Sequence, residues 1–267
     1  DDPLLSPPVD PETGSPASSG VDSGDRLPMD ARMFELHPEL RDWVPQIPRN
    51  FLDALRVPAL AGWAGFEHIS ELEFLGSGTM GYAWKLGDSV LKLSMDRHEA
   101  VTSTVLLGHD LDHVVEIYDV GEIAKARPEP IYAIMQDYLP GDLSGEEEAS
   151  IMRIFGSYAF FAQSNLDDPV YLNIQLYRDE YLMDRMESTM HAFLGGPEQF
   201  EIWDEILEGL LELARLGIGY MDIHPGNVRK DSSGRYVLFD IGRSVSEASP
   251  AVPLIEQYIP AQIPLIV

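Results

Sequence analysis

At 267 residues, 45% of them hydrophobic, the chain is long enough for one large domain or two small ones with a sizeable core. A formal net charge of -27 argues against nucleic acid and anionic membrane as partners, because like charges repel before contact. With no cysteine there can be no disulfide, thiolate zinc site or cysteine nucleophile.

That lack of cysteine, together with the absence of a signal-peptide pattern and of any apolar run near about 18 residues, is what a cytoplasmic chain would show. The first residue, Asp1, suggests a fragment or processed product. Residues 1–30 carry seven acids against Arg26 and are rich in Pro, Ser and Gly, which predicts a disordered acidic tail. In residues 31–69, Pro38, Pro45, Pro48 and Pro58 predict short helices or turns. The apolar Phe34, Trp43, Phe51, Leu55 and Trp63 predict that this extension packs on the domain after it.

From Glu71 the texture is that of strands: 71–75, a glycine-rich loop, 82–86, a Gly87-Asp88 turn, then 90–94. A helix is predicted over Asp96–Leu107, and strands over 114–120 and 131–139. Beyond Gly141 the pattern turns helical, over 146–164, 173–193 and 197–216. The last of these has Pro197 in its first turn and Gly217 at its stop, with Phe200, Trp203, Ile206, Leu207, Leu210 and Ala214 on one face. A final hairpin has 235–240 as its second strand. A β-rich half at 70–139 followed by a helical half at 140–267 is an α+β layout.

The chemistry lies in a few blocks. Gly76-Ser77-Gly78-Thr79-Met80-Gly81 sits between two strands, where a backbone without side chains can close over phosphates. The following strand, rather than a helix, argues against a dinucleotide site. Lys92, within Val90-Leu91-Lys92-Leu93, belongs on the inner face of its strand and there needs an anion. Glu99 is its natural partner, although Asp96 and Glu99 also have the spacing of a helix capping box.

The strongest block runs Gly219-Tyr220-Met221-Asp222-Ile223-His224-Pro225-Gly226-Asn227-Val228, then Val237-Leu238-Phe239-Asp240-Ile241-Gly242. Phosphoryl transfer needs a carboxylate to take the acceptor's proton and hard oxygens to hold Mg²⁺. Asp222 suits the first task; Asn227, five residues on, and Asp240, thirteen beyond that, suit the second. His224 has two readings, a hydrogen bond within its own loop or a place near the γ-phosphate. The acids at 146–148 read as a solvated helix start, and the aromatic-rich 155–193 as core or as an acceptor-binding insert.

In order, these motifs resemble the protein-kinase-like superfamily over about residues 70–245. The resemblance implies a two-lobed fold, with ATP and Mg²⁺ as cofactors. It implies Asp222 as catalytic base, Asn227 and Asp240 as metal ligands, and Lys92 with Glu99 fixing the α- and β-phosphates. It further implies a hinge at Gln136-Asp137-Tyr138-Leu139 meeting adenine, and Asp142 on the ribose. The Asp-Ile-His-Pro-Gly-Asn form looks like the loop of aminoglycoside and other small-molecule phosphotransferases, whereas the full glycine loop looks like that of protein kinases. Met221 stands where protein kinases carry an arginine, and 25 residues follow Gly242 with no Ala-Pro-Glu motif.

The expected activity is therefore phosphate transfer from ATP to a hydroxyl, on a protein serine or threonine or on a small molecule. The rival is a nucleotide-binding module without turnover, against which Lys92, Asp222, Asn227 and Asp240 occur together. Arg243 is the one basic residue after Asp240, with Ser244, Ser246 and Ser249 nearby, so no phosphorylation switch is expected. The acceptor is expected to be held by residues 141–196 and the Pro-rich C-terminal tail.

Overall fold

The computed structural model describes Trp43 and residues 47–123, 130–244 and 263–267. The expectations for segment 1–30, for Phe34, Pro38 and Pro45, for Ser246 and Ser249 and for most of the C-terminal tail fall outside them. Pro48 and Pro58 punctuate the start as expected: α1 (Arg49–Leu55) follows Pro48, and α2 (Pro58–Ala64) has Pro58 in its first turn. Phe51 of α1 packs on Tyr82 at 4.7 Å, and Trp43 lies 6.1 Å from Trp84 and 6.3 Å from Phe74. This segment therefore covers one face of the sheet that comes next.

That sheet is mixed, in the order β1 (Glu73–Ser77), β2 (Gly81–Leu86), β3 (Ser89–Ser94), β5 (Tyr132–Asp137), β4 (Ile117–Ile123), β8 (Leu265–Ile266). The first five strands pair antiparallel, and β8 joins β4 in parallel. Strand β8 had no signal in the sequence, since two residues carry no period. Helix α3 (Arg97–Leu106) begins at Asp96, whose carboxylate accepts from the N–H groups of His98 and Glu99.

The expected helix over 173–193 is two helices, α5 (Leu172–Arg178) and α6 (Glu180–Phe193). Asp179 divides them because its side chain caps α6, accepting from the N–H groups of Tyr181 and Leu182. Helix α4 (Gly145–Asn165) precedes them, and α7 (Pro197–Arg215) ends at Gly217, at φ 75. The hairpin β6 (Val228–Lys230) and β7 (Tyr236–Leu238) follows.

One apolar cluster runs from Val120, Tyr132 and Ile134 of the sheet to Ile154, Trp203 and Leu210 of the helices. Backbone bonds from Val115 N–H to Leu238 O (2.9 Å) and from Leu238 N–H to His113 O (2.9 Å) fasten the approach to β4 onto β7. The architecture is α+β. No helix among the described residues is long and apolar enough to cross a membrane.

Candidate functional site

Strand β3 alternates around Lys92. Leu91 and Leu93 are fully buried on the face shared with Trp84, while Val90 and Lys92 point the other way and line a cavity. Both faces of β3 are covered, which is why a lysine sits inside an apolar run.

The Lys92 ammonium is ion-paired with Glu99 of α3 and donates to Asp240 Oδ1 at 2.8 Å. The two sequence readings of Glu99 thus separate. Asp96 caps α3 with its own carboxylate, and Glu99 reaches β3. Burial works against the ammonium, but the charges of Glu99 and Asp240 outweigh it and raise the Lys92 pKa above its ordinary 10.5. Burial likewise pushes the Glu99 carboxyl up; Lys92 opposes this and Asp240 adds to it. Two carboxylates share one ammonium, so the cluster holds surplus negative charge.

The glycine loop has a steric reason at Gly81, where a Cβ would lie 2.7 Å from the carbonyl oxygen of Leu93 on β3. Of the amides expected to face phosphate, that of Gly78 is turned inward to the carbonyl of Gly81 at 2.9 Å, because it closes the loop's own turn.

The loop after α7 is held from below by Asn173 of α5. Its buried carboxamide donates to Leu210 O (3.0 Å) and Ile218 O (2.9 Å) and accepts from Tyr220 N–H (3.1 Å). The Tyr220 hydroxyl donates to the carbonyl of Asp222 at 2.9 Å and lies 3.3 Å from that of Phe239. Burial, then the charges of Asp222 and Asp240, push this phenol well above its ordinary 10.0, so it remains a donor.

Asn227 Nδ2 also donates to Asp222 O, at 2.9 Å. His224 Nδ1 accepts from Gly226 N–H at 2.9 Å, which puts the ring proton on Nε2, 3.5 Å from Asp222 Oδ1. The bond within the loop is thus present, and the same ring lies beside the Asp222 carboxylate.

Asp240 is the one described non-glycine residue at positive φ, 55, a conformation that Asp tolerates better than most and that costs energy. Gly242, two residues on, is required by contact. A Cβ there would lie 2.6 Å from Glu99 Cα, so the turn Ile241–Ser244 can rest on α3.

At the expected hinge, the amides of Asp137 and Tyr138 bond to Glu116 O (3.0 Å) and Asp88 O (3.1 Å), and residue 140 is proline. Leu139 therefore has the amide of 137–140 that no hydrogen bond among the described residues takes up. The Asp137 carboxylate accepts from Tyr118 OH, and the Asp142 carboxylate pairs with Arg229 at 2.5 Å.

Every site residue named from the sequence lines a single cavity of about 690 Å³. Six carboxylates line it, those of Asp96, Glu99, Asp137, Asp142, Asp222 and Asp240, against two fixed cations, Lys92 and Arg229. A triphosphate can enter such a site only with cations of its own.

The sequence reading missed Tyr220, Asn173, Arg229 and Glu147 as contributors. Strand alternation after Asn227 could have found Arg229, because Val228 is buried and its neighbour must face the other way. Asn173 had no local signal, since its three partners lie 37 to 47 residues away. Glu147 is more than a solvated helix start: it closes a capping box with Ser144 and also pairs with Lys230 and accepts from Tyr236 OH. Compared with models of known protein families and with curated proteins, the chain matches none.

Proposed function

We propose that the chain is an ATP- and Mg²⁺-dependent phosphotransferase of protein-kinase-like, two-lobed design, moving the γ-phosphate to a hydroxyl acceptor. The observation that carries this is the Lys92 ammonium, bonded at once to Glu99 and to Asp240, which is 148 residues away, in a cavity shared with Asp222 and Asn227. Burying that much charge in one place is costly, and phosphate with a divalent ion is the ligand chemistry that uses all of it.

Asn227 donates an amide hydrogen to Asp222 O, which leaves its side-chain oxygen for a cation, and Asp240 adds a carboxylate. Among the described residues no group of three or more His, Asp or Glu forms a ready metal cage. Two protein oxygens suit an ion that completes its shell with phosphate oxygens and water, as Mg²⁺ does. When bound, the ion would supply charge neutralisation at the phosphates.

The chain's own residues do the rest. Lys92, held by Glu99, presents its ammonium to phosphate oxygens. Asp222, beside His224 and fixed through its carbonyl by Tyr220 and Asn227, takes the acceptor's hydroxyl proton. As the acceptor oxygen bonds to the γ-phosphorus, the bond to the β–γ bridging oxygen breaks and ADP leaves with the electron pair.

A protein serine or threonine is the first reading of the acceptor. A small-molecule hydroxyl is the second, favoured by the Asp222–Asn227 loop with His224 at its centre. Incubation with γ-labelled ATP and Mg²⁺, with protein and small hydroxylated acceptors in parallel, tests both. Label on an acceptor is expected. Tight nucleotide binding with no transfer to any acceptor, water included, would instead support the non-catalytic module.

A further inference from the structure

We propose that Glu212 is a positioning residue for Asp240, an assignment that rests on the nucleotide-site reading above. Glu205, Gly209 and Glu212 follow one another at i, i+4 and i+7, so they share one face of α7. That face is turned to two stretches of backbone. The buried Glu212 carboxylate accepts from the N–H groups of Asp112 and His113, each at 3.0 Å. Glu205 accepts from Tyr236 N–H at 2.7 Å. Gly209 is bare because a Cβ there would lie 2.8 Å from His113 O and 3.0 Å from Leu238 Cδ1.

The two stretches are also bonded to each other. His113 O and Val115 N–H both meet the backbone of Leu238 at 2.9 Å, and His113 Nδ1 donates to Tyr236 O at 2.9 Å. Glu212 therefore fixes, through residues 112–115, the strand β7 that ends two residues before Asp240. Asp240 needs such support, because its positive φ persists only where the surroundings over-determine it. An apolar side chain at 212 would pack α7 without the cost of burying a carboxylate. What the carboxylate adds is a fixed place for the 112–113 backbone, and hence for the metal-binding aspartate.

The test measures ATP affinity by titration calorimetry, with Mg²⁺ and with a chelator, on wild type, Glu212→Gln and Leu60→Val. Leu60 is a fully buried residue of α2 outside the cavity lining, so its truncation reports general destabilisation. Melting curves without ligand place the variants on one scale of stability. Glu212→Gln keeps one acceptor oxygen and turns an NH2 group toward the second amide, which loosens Asp240. The gain in ATP affinity that Mg²⁺ brings should fall about tenfold, and affinity under chelator should stay within about twofold. Leu60→Val should keep the whole gain. An unchanged gain in Glu212→Gln, equal losses with and without Mg²⁺, the same loss in Leu60→Val, or a Glu212→Gln chain that does not fold would each overturn the assignment. Wild type that binds ATP no better with Mg²⁺ would defeat the nucleotide-site reading itself, and the assignment with it.

Discussion

The hydroxyl of Tyr220 donates to the carbonyl oxygen of Asp222 at 2.9 Å, from a side chain with no exposed surface. The same hydroxyl lies 3.3 Å from the carbonyl of Phe239, the residue before Asp240, so one phenol joins the stretches that bear Asp222 and Asp240.

Tyr220→Phe should therefore cost about 0.5–1.5 kcal/mol of stability, since the hydroxyl's bond is lost while Asn227 Nδ2 still donates to the carbonyl of Asp222. Turnover should fall more than nucleotide affinity, because Asp222 loses one of the two bonds that fix its carbonyl. Thermal unfolding and steady-state kinetics measure both. A variant as stable and as fast as wild type would remove the hydroxyl from this account.

Gly242→Ala should destabilise by about 1–3 kcal/mol, since the new methyl must displace either the turn or Glu99. Turnover should drop with it, as Lys92 loses the alignment of Glu99. Gly62→Ala is the contrast: it lies within α2 with open space around it, and should be neutral or stabilising by up to about 1 kcal/mol. Equal melting temperatures for the two variants would show that the contact with Glu99 does not matter.

The acid limb of stability should depend on Glu147. Although burial works against its charge, bonds from Lys230, Tyr236 and Ser144 lower its pKa from an ordinary 4.5 to about 2. A lowered carboxylate pKa contributes stability that is present above 4.5 and lost as pH falls through about 2. Glu147→Gln should be less stable at neutral pH and lose less on acidification through that window. Parallel pH–stability curves for the two proteins would contradict the pairing.

Much of the site could be read from the sequence because its motifs are short and ordered along the chain. The fold around Lys92 also followed from alternation in β3 and from the run of the next helix. What could not be read depends on distance. Asn173 supports Tyr220 from 47 residues away, and β8 is two residues long. The split at Asp179 was local but ambiguous, because a capping aspartate in mid-pattern looks like one more exposed acid. Asp142 was expected on the ribose, and its pairing with Arg229, 87 residues later, had no local signal.

The central claim is that Lys92, Glu99, Asp222, Asn227 and Asp240 form one Mg-nucleotide site. The most direct measurement is the melting temperature of wild type, Asp222→Asn and Asp240→Asn, each with ATP alone and with Mg-ATP. A ligand bound by the folded state at about 100 times its Kd adds about 2.7 kcal/mol, several degrees in a domain of this size. Wild type and Asp222→Asn should both gain a Mg-dependent rise, and Asp240→Asn should lose the Mg-dependent part. A wild-type curve unmoved by saturating Mg-ATP, or an Asp240→Asn response equal to wild type, would contradict the account.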